Sequence, residues 1–521
     1  MEITLVQGIA LAAMAIVIGL DIWLEALFIF RPIIVSTLTG LILGDLQLGL
    51  LCGGITELAF AGLTTAGGSQ PPNPVMAGVM AVVIAHVTGQ SAEASMALAL
   101  PFAFLMQYIV LMCYNIFPLF MKTADRAAQE ADVNGIYRIN IICTLIICAV
   151  YSAMVFLCAY AAQGAMAQLV EMLPEWLTRG FKVAGGLLPA VGFAMLMRAM
   201  LKGEFVPYLL IGFVVSCFLE FSNLLPVAII GTAMALIAYN TECKISPKTV
   251  AVEEIRNETN RVVEKKDITR LGLTSMFLQA SFNYERMQAG GFLCAQLPLL
   301  KKIYKDDKEG LSAAMQDNLE FITTHPNMAG FLMGLLISME EARADRSTIK
   351  GLKLALFAPL AGVGDAIFWF TLLPIVGGIA ASMAMDGSVV GPVIFFLTYL
   401  AVFFFRIALT HMGYDLGTKA IGFITEGAEK IGRAATILGC TVIGALIASY
   451  VKLSVNLEIP VNEVKTVNIQ ADFFDKIFPN ILSISYVFLM FYLMKKKKVK
   501  PITLIIGTFL LAIAFTFFGI L

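Results

Sequence analysis

The chain has 521 residues, of which 59% are hydrophobic and only 14% charged, and its mean hydropathy is +0.84. Soluble domains carry about 25% charged and about 45–50% apolar residues, so an ordinary water-soluble globule is excluded. The net charge of −1 supplies no basic field for nucleic acid, which leaves an all-α polytopic membrane protein.

A bilayer-spanning helix needs about 20 mostly apolar residues. Residues 3–20 show neither a charged leading region nor a small-residue cleavage site, so they read as a retained span. Further apolar runs follow at 27–44, 46–66, 75–89, 96–121, 139–163, 183–201 and 205–240. The last is long enough for two segments divided near Pro226. Asp21, Glu25 and Arg31 stand at the edges of the early spans as paired or snorkelling charges.

The stretch GGITELAFAGLTTAGGSQPPNP (53–74) breaks this pattern. A carboxylate at membrane depth costs about 2.5 kcal/mol or more, and three prolines in four positions exclude a regular helix. Irregular backbone at that depth persists only inside protein or along a wet cavity. A re-entrant loop that turns Glu57, Ser69, Gln70 and Asn73 toward a polar ligand meets these conditions; an ordinary loop with a paired Glu57 is the plainer reading. Glu220, Ser222 and Asn223 form a second intramembrane polar group, equally suited to bonding between helices.

Residues 241–266 (TECKISPKTVAVEEIRNETNRVVEKK) are polar and aperiodic and read as a linker. From 267 to 350, apolar residues at helical spacing alternate with charge. That pattern predicts amphipathic helices lying at the surface or packing against the spans. Two polar motifs stand out there. SFNYERMQ holds Asn283, Glu285 and Arg286, and THPN holds Thr324, His325 and Asn327; gating or partner docking and local packing both fit. Spans resume at 352–380, 388–412, 434–452, 478–494 and 501–521. Within PLAGVGDAIFW (359–369), Asp365 lies beside Gly362 and Gly364, with Trp369 offering a ring face to a sugar; helix capping is the alternative for Asp365. Paired broken segments in two halves point to a transport site, so 53–74 and 359–369 are expected counterparts.

Lysine and arginine set the orientation. The run Lys495–Lys498, with Lys500, places the loop before the last span in the cytoplasm, and counting back places 413–433, 267–350 and the linker there as well. The nine cysteines form no CxxC pair and read as small buried hydrophobes. With three scattered histidines, no Ser–His–Asp pattern, phosphate-binding loop or metal spacing appears. Neither a metal nor a cofactor is expected, and a phosphoryl donor would have to be another protein.

Several of these motifs resemble one family. GGITELAFAGLTTAGGSQPPNP is similar to the IIC component of mannose-type sugar phosphotransferase permeases. KKDITRLGLTSMFLQASFNYERMQAGGF, NLEFITTHPNMAGFLMGL and PLAGVGDAIFW look like the IID component. DIWLEALFIFRPIIVSTLTG, DKEGLSAAMQDNLEFI and ADFFDKIFPNIL resemble the N-acetylgalactosamine/galactosamine branch. IIC and IID are ordinarily separate chains; here a IIC-like domain (1–240) and a IID-like domain (267–350 helices, 351–521 spans) are joined by the linker.

The resemblance implies two pseudo-symmetric halves with re-entrant elements, in the bacterial cytoplasmic (inner) membrane. It implies passage of a hexose or amino sugar to cytoplasmic IIB, itself charged by IIA, and assembly as a homotrimer of the fused chain. The sugar would sit between Glu57, Ser69, Gln70 and Asn73 on one side and Asp365 on the other. An ion-coupled secondary transporter using Glu57 and Asp365, and a non-transporting receptor, are the competing classes.

Overall fold

The computed structural model describes residues 2–64, 71–219, 224–245, 262–417, 420–462 and 465–521. Ser69 and Gln70 of the expected site, together with Glu220, Ser222 and Asn223, lie outside them. The first half comprises α1 (Leu5–Leu24), α2 (Pro32–Leu43), α3 (Leu46–Ala59), α4 (Pro74–Thr88), α5 (Ala92–Ile116), α6 (Pro118–Gln129) and α7 (Val133–Val155), which runs into a π-turn, Phe156–Ala161. It continues with α8 (Gln163–Glu171), α9 (Glu175–Met200), α10 (Val206–Phe218) and α11 (Leu225–Ile245). Helix α11 starts beside Pro226, where the sequence predicts the division of 205–240.

The second half holds α12 (Lys265–Thr274), α13 (Ala289–Ile303), α14 (Lys308–Asn318), α15 (Pro326–Glu341) and α16 (Arg346–Gly364). A π-turn, Asp365–Leu372, carries α16 into α17 (Leu373–Met385). Then follow α18 (Val390–Leu416), α19 (Ala420–Tyr450), a hairpin of β1 (Glu458–Asn462) and β2 (Lys465–Asn468), α20 (Asp475–Ile477), α21 (Ile481–Lys495) and α22 (Pro501–Phe517). Among the described residues, eight helices are long and apolar enough to cross a bilayer, or nine if the bent segment 470–495 counts as one span.

The two ends of the molecule differ in charge. At one end Ile3 N–H donates to Gln163 Oε1 at 2.6 Å, Gln163 Nε2 donates back to Ile3 O at 2.9 Å, and Gln7 reaches the carbonyls at the tip of α2. At the other end Lys302 meets Asp267, Arg343 meets Asp307, and Arg433 bridges Glu204 and Glu242. This second end, which holds these Lys and Arg residues, is the one expected to face the cytoplasm, where the linker is expected as well.

Helices α2, α3 and α4 have 12, 14 and 15 residues. At 1.5 Å per residue they reach about 18–23 Å, short of the ~30 Å hydrocarbon core. They are half-helices between the non-cytoplasmic end and mid-depth. Helices α13 and α15, of 15 and 16 residues, mirror them from the cytoplasmic side. Lys302 and Glu341 mark their cytoplasmic ends, and α15 lies along α18, with Gly330 against Thr410. Of the two arrangements open to 267–350, packing against the spans is the one found for these helices, because nearly every face of each is buried. Helix α12 alternates buried and exposed faces.

The two sets share a local sequence. Asn73-Pro74-Val75-Met76-Ala77-Gly78 opens α4 and His325-Pro326-Asn327-Met328-Ala329-Gly330 opens α15. In both, the first residue caps the helix with its side chain and proline occupies the first turn, where its fixed φ and missing N–H cost nothing. Residues 325–330 thus repeat the local sequence and capping of the Asn73 stretch. Residues 359–369 stay helical because a π-turn absorbs the extra residue without leaving backbone groups unpaired.

Candidate functional site

The mid-depth region is built by a turn. Both oxygens of the Asp21 carboxylate accept backbone N–H bonds, from Leu27 and Ile29, at 2.7 Å each. They stabilise a backbone in which Glu25 and Phe28 take positive φ values of 47° and 57°. The turn delivers Arg31 to the N-terminus of α2. There Arg31 Nε and Nη2 donate to Glu57 Oε1 at 2.9 and 2.6 Å, and Nη2 donates to Phe60 O at 3.1 Å. Glu57 Oε2 accepts from Ile33 N at 3.2 Å, so the carboxylate also meets the positive end of α2. Both side chains are 1% exposed.

The pair lies where the two halves meet. A Cβ on Gly377 of α17 would stand 3.2 Å from Glu57 Oε1. The Phe28 ring stacks on Tyr399 of α18, with centroids 4.3 Å apart, and tilts against Trp369 at 5.2 Å. Nearby, Arg406 of α18 donates to Ser275 Oγ at 2.8 Å, to the Ser275 carbonyl and to Glu25 O at 3.4 Å. It thereby ties the end of α1 to the segment after α12. Asp365 opens the π-turn.

Asn73 is 1% exposed and caps α4 by accepting from Met76 N at 3.0 Å. Its Nδ2 donates to Tyr151 OH at 2.6 Å. The amide thus holds α4 to α7 while placing the end of α4 at mid-depth.

On the other side, Gln288 and Thr324 exchange bonds: Gln288 Nε2 donates to Thr324 O at 3.0 Å and Thr324 N donates to Gln288 Oε1 at 2.7 Å. This joins the start of α13 to the start of α15. His325 Nδ1 accepts from Asn327 N at 3.1 Å, and the imidazole stacks on Phe368 at 5.1 Å with Trp369 edge-on at 6.0 Å. THPN and GDAIFW, separate in sequence, therefore form one wall.

Asn283, Glu285 and Arg286 are elsewhere. Asn283 is consumed by its own turn: Oδ1 accepts from Glu285 N and Arg286 N at 3.0 Å each and Nδ2 donates to Ser281 O at 3.0 Å. Arg286 grips Asp125 of α6 through both terminal nitrogens, at 2.5 and 2.8 Å, and the Asp125 carboxylate raises its pKa further above the ordinary guanidinium value. The pair edges a cavity of about 460 Å³ that also touches Asp317, Glu320 and Phe321. It lies on the cytoplasmic seam between the halves.

The expected residues thus divide between mid-depth (Glu57, Asn73, His325, Asn327, Asp365) and the cytoplasmic seam (Glu285, Arg286), with Asn283 held in the turn. Arg406, Phe28 and Tyr399 were missing from the sequence reading. A lone arginine in FFFRIALTH carried a signal, since a charge at that depth needs a partner; the two aromatics carried none.

Both halves of the chain are similar to known proteins. Residues 262–521 match the family model of the mannose/fructose/sorbose family IID component of the phosphotransferase system. Residues 5–237 match that of the sorbose-specific IIC component. The chain is 57% identical over 238 residues to N-acetylgalactosamine permease IIC component 1 of Escherichia coli K12, covering 46% of this chain and 89% of that relative. It is 34% identical over 278 residues to the sorbose-specific EIID component of Lacticaseibacillus casei, covering 51% of this chain and 97% of the relative. A solved chain described as a membrane protein shares 30% identity and covers 50% of this chain and 99% of its own, with a TM-score of 0.46.

Proposed function

Since the chain belongs to the mannose-type family of sugar phosphotransferase permeases, with IIC and IID components in one inner-membrane polypeptide, we propose that it carries N-acetylgalactosamine or galactosamine. The substrate reading is supported by the 57% identity to an N-acetylgalactosamine IIC relative. The geometry that favours transport is the convergence of half-helices from opposite faces on buried polar side chains at mid-depth. Discontinuous helices of this kind expose their N-termini to a substrate between two repeats.

In this reading residues 1–240 act as the IIC part, 241–266 as the cytoplasmic linker and 267–521 as the IID part, and three copies assemble together. The sugar enters from the non-cytoplasmic end and settles between the ends of α2–α4 and the wall formed by α15 and the Asp365 π-turn. Amides and carboxylates hold hydroxyls by hydrogen bonds without changing protonation state. Ser69, Gln70 and Asp365 supply such groups, Arg31 holds the Glu57 carboxylate in place, and Asn73 fixes the end of α4. The Arg286–Asp125 seam serves as the cytoplasmic mouth. There phosphorylated IIB transfers its phosphoryl group to a sugar hydroxyl: the bond to the IIB residue breaks, a phosphorus–oxygen bond forms, and the hydroxyl proton leaves to water.

Membrane vesicles carrying the chain, supplied with IIA, IIB, the general phosphotransferase proteins and phosphoenolpyruvate, test this. Radiolabelled N-acetylgalactosamine and galactosamine are expected to appear inside as sugar phosphates, and only with IIB present. Accumulation of free sugar without IIB, or phosphorylation of other hexoses alone, would refute it.

A further inference from the structure

Three side-chain polar atoms at the start of α15 have no hydrogen-bond partner among the described residues: Thr324 Oγ1, His325 Nε2 and Asn327 Nδ2. Their residues are 4%, 2% and 1% exposed. Buried polar groups in folded proteins are almost always bonded, and each exception asks for a ligand, a water or a function. Three exceptions within four residues are a site, not an accident of one rotamer.

The chemistry of the three is one-sided. His325 Nδ1 accepts the Asn327 N–H, so it carries no proton, and the proton of the neutral ring is on Nε2. Asn327 Nδ2 is a donor, and the Thr324 hydroxyl can donate. Helix α15 adds the positive end of its dipole. What fits is an uncharged or anionic oxygen; an ammonium group would meet two obligate donors, His325 Nε2 and Asn327 Nδ2, with only the Thr324 hydroxyl of the three able to accept from it. Around the donors the wall is apolar: Phe368 stacks on the imidazole, Trp369 meets it edge-on and Met328 stands close by beside Gly364. An oxygen acceptor next to a small apolar group has the shape of an acetamido substituent.

We infer that the start of α15 is the subsite that recognises the N-acetyl group of the transported sugar. The carbonyl oxygen accepts from His325 Nε2 and Asn327 Nδ2, and the methyl group lies against Phe368 and Met328. The inference rests on the substrate reading above and deepens it: galactosamine, a cation in its ammonium form, would lack the acceptor these donors need. The site is closed to solvent in this conformation. The 319–325 segment that leads into it also borders the cytoplasmic cavity through Leu319, Glu320 and Phe321, so movement of that segment would open the subsite toward the seam.

The test is a ratio, which is insensitive to the amount of folded protein. Phosphorylation of N-acetylgalactosamine and of galactosamine is measured side by side in the vesicle system for the full chain, for Asn327→Asp and for His325→Phe. Asn327→Asp replaces a donor by an acceptor at constant size, and His325→Phe removes the Nε2 donor while keeping a ring against Phe368. A site built around a hydrogen bond discriminates strongly once its donors are left unpaired. Each variant is expected to lower the N-acetylgalactosamine to galactosamine ratio by about tenfold or more. An unchanged ratio, whether both rates fall together or neither falls, overturns the inference alone. A parent chain that phosphorylates neither sugar overturns the substrate reading, and this inference with it.

Discussion

The Arg31–Glu57 pair is the most consequential contact at the scale of single residues. Taking two charges out of water costs several kcal/mol per ion, recovered only when the pair is well bonded. Here Glu57 Oε1 takes two guanidinium bonds and Oε2 a backbone N–H, so the recovery is good. Removing one partner strands the other and costs about 3–5 kcal/mol. Glu57→Gln is therefore expected to lower the melting temperature of detergent-solubilised protein and to abolish sugar phosphorylation. The double variant Arg31→Met/Glu57→Leu removes both charges and should recover most of the thermal stability. If it also recovered phosphorylation, the pair would be structural only and would leave the proposed site.

Among the elements, the crossing of α10 and α19 joins the two halves through glycine. A Cβ on Gly212 would stand 1.8 Å from Thr441 O, and a Cβ on Gly444 2.1 Å from Leu209 O. Neither distance is possible for real atoms. Backbone meets backbone at both positions, the close approach that small residues permit between helices in lipid. Gly212→Leu or Gly444→Leu should push the helices apart. Membrane insertion should persist, because the apolar spans are intact, while transport falls at least tenfold. A variant that transports normally would show that this crossing tolerates separation.

For the whole molecule, the question is whether the fused chain works because it is fused. The contacts between the halves are extensive without the linker: α19 lies along α10 and α11, α22 and α21 lie along α9, and α3 lies against α17. Arg433 of α19 bridges Glu204 and Glu242 of the first half at 2.9 and 2.6 Å. A chain cut near Asn257 and expressed as two pieces should therefore assemble and phosphorylate sugar at a rate within about threefold of the intact chain, since tethering chiefly raises effective concentration. Pieces that co-purify but fail to transport would assign the linker a mechanical role.

Composition and the spacing of apolar runs determined by themselves that this protein lives in a membrane and nearly where its helices run, because transfer into lipid depends on each segment's own residues. The Pro/Gly-broken stretch with Glu57 was legible for the same reason: a carboxylate and three prolines in an apolar run violate a local rule. Only the tertiary structure decided what those groups do. It paired Glu57 with Arg31, spent the Asn283 amide on a turn, sent Glu285 and Arg286 to the cytoplasmic seam, and brought His325 against the π-turn 40 residues later. Hydrogen bonds and ring contacts between residues distant in the chain are set by how helices cross, and nothing in a residue's near neighbours records that crossing.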